Sequence, residues 1–253
     1  MTNADNRWFR VSQKRGQVDL KLFCFPYAGG AAVIYRDWEN YLPSNVQLFA
    51  VELPGRGRRL KEPFIVDVPT MVEALADAVL PLLDMPFAFF GHSLGAVLAF
   101  ELARRLRRAN EREPELLIAS GRRAPQIPDT DPVSYNLPAD ELIAELHRMA
   151  GTPKEVLDHA ELMELMLPLL RADFQLVQTY QYTDDDPLGC PITVFGGLQD
   201  KDVGRESLLA WEEQTTSSFA LRMMPGDHFF LRSSQALLLE RLSLELSSVI
   251  LQL

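Results

Sequence analysis

FAFFGHSLGAVLAFELA, residues 87–103, joins a short apolar run to a helical apolar pattern through a serine flanked by glycines. A G-x-S-x-G sequence between a strand and a helix is typical of a nucleophile elbow, a tight turn that holds a serine hydroxyl out at the edge of a sheet. Glycines flank the serine because the turn brings the strand and helix backbones too close for side chains. The stretch therefore predicts that Ser93 is a nucleophile.

Short apolar runs alternate with helical patterns along most of the chain. This alternation is typical of crossover connections, so we expect an α/β fold with a mostly parallel sheet and helices on both faces. The predicted strands span 20–25, 46–53, 87–90, 115–120, 191–195 and 219–224, and the predicted helices between and after them span 34–42, 70–83, 94–108, 205–214 and 235–251.

The alternation stops between residues 120 and 191, an interval that is too long for a simple crossover. Helices are predicted inside it at 139–149 and 154–167. The second is apolar over most of its circumference, with its acidic side chains from Asp158 to Glu164 along one narrow stripe. Such a surface packs on the core, or it lines a lid that receives an acyl chain. The two interpretations are compatible. We therefore predict a helical lid insertion at about residues 126–187.

Length and composition are those of a globular protein. With 253 residues, 47% of them hydrophobic, the chain can bury one large core, and we expect a single domain over residues 1–253. Residues 1–16 are polar and hold no apolar segment long enough for a signal peptide or a membrane span, so we expect a cytoplasmic protein without membrane contact. Cys24 and Cys190 lie in separate apolar runs, which predicts buried thiols. Without zinc-ligand spacing or a G-x-x-x-x-G-K-S/T loop, we predict no metal and no cofactor.

The net charge of −10 argues against a nucleic-acid partner, which would require a basic surface. The charge is unevenly distributed, because residues 126–187 hold thirteen acidic and three basic side chains. The acidic excess of the protein therefore resides in the predicted insertion.

A serine hydroxyl is a weak nucleophile until a base takes its proton, and four histidines could serve. His92 adjoins Ser93 in the elbow, where its side chain should point away. His147 and His159 fall in the predicted insertion helices, where isolated surface histidines are common. His228 follows the last predicted strand through a Pro-Gly-Asp turn, which puts it at the carboxyl edge of the sheet with the serine. We therefore predict His228 as the general base.

The base needs a carboxylate that fixes its tautomer, and three aspartates compete for this role. Asp200 lies in the loop that leaves the same sheet edge after the strand 191–195. Asp202 lies nearer the next helix, where a carboxylate has an ordinary capping role. Asp227 directly precedes His228 and would have difficulty folding back onto its ring. We prefer Asp200 and keep Asp202 as the alternative, because the chain order Ser, Asp, His fits either.

An oxyanion hole needs two fixed N–H donors. In this architecture the residue after the serine, here Leu94, supplies one donor, and a loop after an early strand supplies the other. FPYAGG, residues 25–30, fits that loop, since its glycines allow the backbone to turn its amides inward; an ordinary glycine turn is the alternative. We assign the second donor to Ala28.

Five motifs, in order and spread over nearly the whole chain, resemble those of the type II thioesterases of polyketide and nonribosomal peptide synthesis. They are FPYAGG at 25–30, LPGRGRR at 53–59, GHSLGA at 91–96, GGLQD at 196–200 and PGDHFFL at 225–231. The resemblance implies an α/β hydrolase fold and removal of stalled or aberrant acyl groups from the phosphopantetheine arm of an acyl or peptidyl carrier protein. It also implies a monomer, the triad Ser93, Asp200 and His228, and oxyanion amides at Ala28 and Leu94.

The expected reaction is a two-step acyl transfer through an acyl-enzyme on Ser93. Because a thiol leaves more readily than an alkoxide, the triad alone does not separate a thioesterase from an esterase, and only the resemblance does. The alternatives are a carboxylesterase or lipase acting on free esters and an inactive carrier-binding protein, against which the intact triad argues. For the acyl chain we expect contacts with Met149, Met163, Met166 and Phe229.

Two basic clusters follow the carboxyl ends of predicted strands and so lie on the active-site side. Carrier proteins of the kind that the resemblance implies are usually acidic, so docking onto this acidic chain would require a local basic rim. The alternative is that these residues are solvated loop charges. We hypothesise that the rim includes Arg56, Arg58, Arg122 and Arg123.

Overall fold

The computed structural model describes residues 7–13, 16–149 and 159–253. A seven-stranded sheet runs through them in the order β1-β3-β2-β4-β5-β6-β7. Neighbouring strands pair in parallel except β1, which is antiparallel to β3, so the expected mostly parallel sheet is confirmed. The strands are β1 (Phe9–Val11), β2 (Leu20–Phe25), β3 (Val46–Val51), β4 (Phe87–His92), β5 (Leu116–Ser120), β6 (Ile192–Gly197) and β7 (Phe219–Met224).

Helices connect the strands and cover both faces of the sheet. None of those in the described ranges is long and apolar enough to cross a lipid bilayer. The α-helices are α1 (Val68–Val79), α2 (Leu94–Arg108), α3 (Ala139–Met149), α4 (Ala160–Gln178), α5 (Arg205–Leu209), α6 (Phe230–Ser233) and α7 (Gln235–Ile250).

The helix predicted over 34–42 is instead a pair of 3-10 turns, Ala32–Tyr35 and Trp38–Asn40. Tyr35 ends the first turn and Trp38 begins the second; both are buried, and their rings meet edge to face with 4.8 Å between the centroids. In the same way, the helix predicted over 205–214 is α-helical only as far as Leu209 and continues as a 3-10 turn.

Side chains of the central strands alternate between two apolar cores, one on each face of the sheet. In β2, Phe23 and Phe25 belong to the core shared with α1 and α2, whereas Leu22 and Cys24 belong to the core shared with α7. Burial on both faces explains why this strand is a continuous apolar run. Packed between the two cores, the parallel strands end at the same edge of the sheet, and the predicted site residues lie at that edge.

Helices α3 and α4 lie between β5 and β6, in the segment 126–187, which we call the helical insertion. Helix α3 has its predicted bounds, whereas α4 extends to Gln178 rather than ending at residue 167. Residues 154–158 of the predicted helix lie outside the described residues. Pro168 lies inside α4 and has no N–H to donate to the preceding turn. The two helices share an apolar cluster that includes Leu142, Leu146, Met163, Leu170 and Phe174.

Candidate active site

Ser93 lies in the turn between β4 and α2 with φ 53° and ψ −112°. A positive φ is unfavourable for serine, so the surrounding structure imposes it. A Cβ on Gly91 would lie 2.1 Å from the Gly95 carbonyl oxygen, and one on Gly95 would lie 2.1 Å from that of Phe25. The Ser93 amide donates to the Ser120 carbonyl at 2.8 Å, which ties the turn to β5. The structure thus has the geometry of a nucleophile elbow at the predicted position.

His228 and Asp200 leave the neighbouring strands β7 and β6 at the same edge of the sheet. His228 Nδ1 donates to Asp200 Oδ2 at 2.8 Å. The other carboxylate oxygen accepts the amides of Asp202 and Val203 at 3.0 and 3.1 Å. The Asp200 side chain is 1% exposed, against 18% for His228. Three donors fix the carboxylate, and its bond to Nδ1 leaves Nε2 as the basic nitrogen of the ring.

The competing aspartates have other partners. Asp202 Oδ1 forms an ion pair with Arg148 of α3 at 3.2 Å. Asp227 Oδ1 accepts the amide of Phe229 at 2.8 Å within its own turn. The geometry therefore pairs His228 with Asp200, the carboxylate that sequence reasoning prefers.

His92 is buried beside the candidate base, with 5.3 Å between the centroids of its ring and that of His228. Its Nδ1 lies 2.9 Å from the Ser120 hydroxyl. Burial, reinforced by the nearby His228, holds the pKa of His92 well below its usual range. A Cβ on Gly121 would lie 2.6 Å from the His92 ring, so the residue after β5 must be small. His92 is therefore a neutral packing element under the site, a role that no local sequence pattern indicates.

The loop 25–30 supplies the second candidate oxyanion donor. Two of its amides already have acceptors. The Gly29 amide donates to the Asp173 carboxylate of α4 at 2.7 Å, and the Gly30 amide donates to the Tyr27 carbonyl at 2.8 Å. The amides of Ala28 and Leu94 donate to no other group in the described part of the chain. These two amides are therefore available to a developing oxyanion.

Arg56 is buried, and its predicted place on a docking rim is wrong. Its side chain makes two hydrogen bonds to Asp173 of α4, at 2.7 and 2.8 Å, and donates to the Gly30 carbonyl at 2.9 Å. Arg56 is 4% exposed and Asp173 is 2% exposed. Sequence reasoning missed Asp173 because one acidic residue in an acidic segment carries no sign of burial.

The three other predicted rim residues differ in exposure. Arg58 is exposed and donates to a backbone carbonyl of β1 at 2.5 Å. Arg122 and Arg123 have side chains that are only 15% and 11% exposed, and both form ion pairs with Asp129 at 3.3 Å. The basic charge after β5 is thus offset by carboxylates of the following loop.

The expected acyl-chain contacts fall into two groups. The predicted methionines share the apolar cluster of α3 and α4: Met149, Met163 and Met166. The same cluster contacts Ala28 of the candidate oxyanion loop. Phe229 belongs to the core on the α7 side of the sheet, and its ring centroid lies 5.2 Å from that of His228. The structure therefore brings the methionines together next to the loop and places Phe229 beside the base.

A family model of the thioesterase domain matches residues 20–244 of the chain. The linear gramicidin dehydrogenase LgrE of Brevibacillus parabrevis is 44% identical over 239 residues, which cover 93% of this chain and 91% of that protein. The gramicidin S biosynthesis protein GrsT of Aneurinibacillus migulanus is 43% identical over 245 residues, 97% of this chain and 96% of that protein. The solved structure of the type II thioesterase BorB from the borrelidin biosynthetic cluster is 33% identical, with a TM-score of 0.87 over 99% of this chain and 100% of that one.

The word dehydrogenase in the first of these names finds no counterpart in the sequence of this chain. This chain contains no G-x-G-x-x-G fingerprint, the glycine pattern that lets the backbone of a dinucleotide-binding turn approach a pyrophosphate. The glycines on either side of Ser93, Gly91 and Gly95, instead make room for a serine with a positive φ. An elbow serine, a histidine–carboxylate pair and two available amides are the parts of a serine hydrolase.

Proposed function

The chain belongs to the thioesterase family, and we propose that it hydrolyses acyl thioesters held on the phosphopantetheine arm of an acyl or peptidyl carrier protein. Its task would be to release stalled or aberrant acyl groups in polyketide or nonribosomal peptide synthesis. The observation that carries the proposal is the His228–Asp200 bond of 2.8 Å at the sheet edge where the Ser93 elbow lies. The names of GrsT and BorB, which refer to gramicidin S biosynthesis and the borrelidin cluster, support the biosynthetic context.

In the proposed first step, Ser93 attacks the thioester carbonyl while His228 Nε2 takes its proton. Asp200 stabilises the imidazolium, and the amides of Ala28 and Leu94 bind the oxyanion. The pantetheine thiol then leaves and takes the proton back from the imidazolium. In the second step, His228 activates a water molecule that hydrolyses the acyl-enzyme and regenerates the serine.

We assign the helical insertion the role of a lid that receives the acyl chain. Its methionine-containing cluster contacts Ala28, so an acyl chain held in that cluster would have its carbonyl next to the proposed oxyanion donor. Methionine side chains are flexible and suit chains of varied shape.

The proposed setting is a cytoplasmic monomer that meets its carrier protein transiently. Cys24 and Cys190 are buried free thiols, as reducing compartments allow, and burial raises the pKa of Cys190 to about 12. For docking, Arg58 is the strongest remaining member of the proposed rim, because Arg122 and Arg123 would have to exchange their carboxylate partners for the carrier. Reversing the charge in Arg58→Glu should raise the KM for an acyl carrier protein but not for a small acyl thioester; equal effects on both substrates would remove Arg58 from the rim.

The decisive experiment loads a carrier protein with an acyl phosphopantetheine and follows release of the acid by the wild type and by Ser93→Ala. A simple aryl ester is tested in parallel, and Ser217→Ala, at an exposed loop position, serves as the matched control. We expect release by the wild type and the control and none above background by Ser93→Ala. Faster hydrolysis of the ester without release from the carrier would make the protein an esterase. Release that persists in Ser93→Ala would remove the nucleophile assignment.

A further inference from the structure

The buried Arg56–Asp173 ion pair joins the candidate oxyanion loop to helix α4 of the insertion. We propose that Arg56 and Asp173 are positioning residues, which hold this loop so that the Ala28 amide is set to receive the oxyanion. The proposal rests on the thioesterase mechanism above and adds to it two residues that act on the loop rather than on the substrate.

The pair holds both sides of the segment that follows Ala28. Asp173 Oδ2 accepts the Gly29 amide at 2.7 Å, and Arg56 Nη1 donates to the Gly30 carbonyl at 2.9 Å. The same Oδ2 accepts from Arg56 Nη1 at 2.8 Å, which closes the network. Gly29 has φ 77°, a left-handed conformation that the two bonds help to define. Fixing this segment fixes the peptide unit of Ala28 that leads into it.

Helix α4 also packs directly against the loop. Leu170 lies one turn before Asp173 on the same face of α4. A Cβ on Gly29 would lie 2.7 Å from the Leu170 side chain. The loop therefore meets both a buried apolar side chain and a buried carboxylate of the same helix, so its position depends on that of α4.

The ion pair contributes more to the relative orientation of the loop and helix α4 than to the stability of the fold. Burying two ions costs desolvation energy, and well-packed apolar residues in their place are often equally stable. A guanidinium and a carboxylate joined by two parallel bonds, in contrast, define the relative orientation of the groups that carry them. Here those groups are a loop with an available amide and a helix of the insertion.

The test replaces the pair by apolar residues of similar size in the double variant Arg56→Met/Asp173→Leu. This change leaves no unpaired buried charge, so we expect the variant to fold and to melt near the wild-type temperature. With the loop bonds lost, kcat for a small acyl thioester should fall on the order of 10²-fold, as when an oxyanion donor is removed. The KM should remain close to the wild-type value. Affinity for an acyl trifluoromethyl ketone, which forms an oxyanion on the serine, should fall in parallel with kcat.

Glu101→Gln is the matched control, because Glu101 pairs with the buried Arg104 on α2, away from the loop. It should retain the wild-type kcat and inhibitor affinity. A folded double variant with wild-type kcat and inhibitor affinity would overturn the proposal. If the double variant does not fold, Asp173→Asn keeps an acceptor for the Gly29 amide and should lose about 10-fold in kcat; a loss no greater than that of Glu101→Gln would then overturn it. Both readouts use whichever thioester or ester the wild type hydrolyses, so a wrong carrier assignment is seen separately, in the wild type.

Discussion

The sheet edge and the helical insertion meet at the candidate active site but are held by different contacts. At the edge, backbone lies against backbone, and a Cβ on Gly197 would lie 2.4 Å from the Asp227 carbonyl oxygen. The insertion is held by side chains, through the apolar cluster of α3 and α4 and ion pairs such as Arg148–Asp202, while Leu165 on its surface is 77% exposed. The edge therefore tolerates little change in geometry, whereas the insertion can be repacked. This difference separates the part to which we assign the chemistry from the part to which we assign acyl binding.

The largest effect is expected from Gly95→Ala at the sheet edge. The new Cβ would lie 2.1 Å from the Phe25 carbonyl oxygen and 2.6 Å from its carbon, and backbone atoms on both sides have no room to move. We expect a loss of more than about 4 kcal/mol in the free energy of unfolding, or no folded protein. Gly204→Ala is the control, because a Cβ there meets no atom within 4 Å. Thermal unfolding of both variants measures the difference, and a stable Gly95→Ala would contradict the view of a rigid edge.

The next effect concerns activity alone. Asp200→Asn preserves the shape of the side chain but allows the wrong tautomer of His228, so kcat should fall about 10⁴-fold with little change in stability. Asp202→Asn, which weakens the exposed ion pair to Arg148, should stay within a few-fold of the wild type. Steady-state kinetics on one thioester distinguishes the two. A loss in Asp202→Asn as large as that in Asp200→Asn would contradict the assignment of Asp200 as the orienting carboxylate.

A smaller effect is expected in the insertion from Met163→Ala. Met163 is 1% exposed in the cluster of α3 and α4, and truncation of such a side chain costs about 2–5 kcal/mol. Because this cluster is separate from the two sheet cores, hydrogen exchange should accelerate in α3 and α4 while the central strands stay protected. Leu165→Ala, at an exposed position of the same helix, should change nothing measurable. Faster exchange throughout the sheet would show that insertion and sheet open as one unit.

The smallest effect is expected in the pH dependence of the free energy of unfolding, to which the buried His92 contributes. The pKa of His92 is held well below its usual range in the folded protein, so the unfolded chain binds the proton first as the pH falls. The contribution of His92 to the free energy of unfolding should therefore be intact above about pH 6.5 and decline below it, by at most about 1.4 kcal/mol per pH unit. When urea unfolding is measured between pH 7 and pH 5, the free energy of unfolding should fall less steeply with decreasing pH in His92→Asn than in the wild type. An unchanged slope would mean that other groups dominate this range.

The sequence predicts elements most closely where local pattern and burial agree. The bounds of β2, β7 and α2 are those of the apolar runs, because the strand and helix signals are complete within each segment. Strand β1 escapes prediction because three residues acquire their role only by pairing with β3. The carboxyl half of α4 escapes because Pro168 signals an end, whereas buried Leu170 and Phe174 favour continuation of the helix.

The same distinction applies to the site. Ser93, Asp200 and His228 can be selected because each follows a predicted strand within a glycine-containing turn. The burial of Arg56 cannot be, since its partner lies 117 residues away along the chain. Arg122 and Arg123 are an intermediate case, because their carboxylate partners lie only seven and eight residues later in the same loop.

Pro168 divides helix α4 into two parts with different contacts, and the difference matters for engineering. The residues before it include Met163 and Met166 of the proposed acyl-binding surface, and those after it include Leu170 and Asp173, which contact the proposed oxyanion loop. Leu170 belongs both to the cluster of Met163 and to the contact with Gly29. A designer who wants a different acyl preference without a change of rate would therefore confine the library to positions before Pro168. Libraries that cross the proline would mix changes of selectivity with changes of rate.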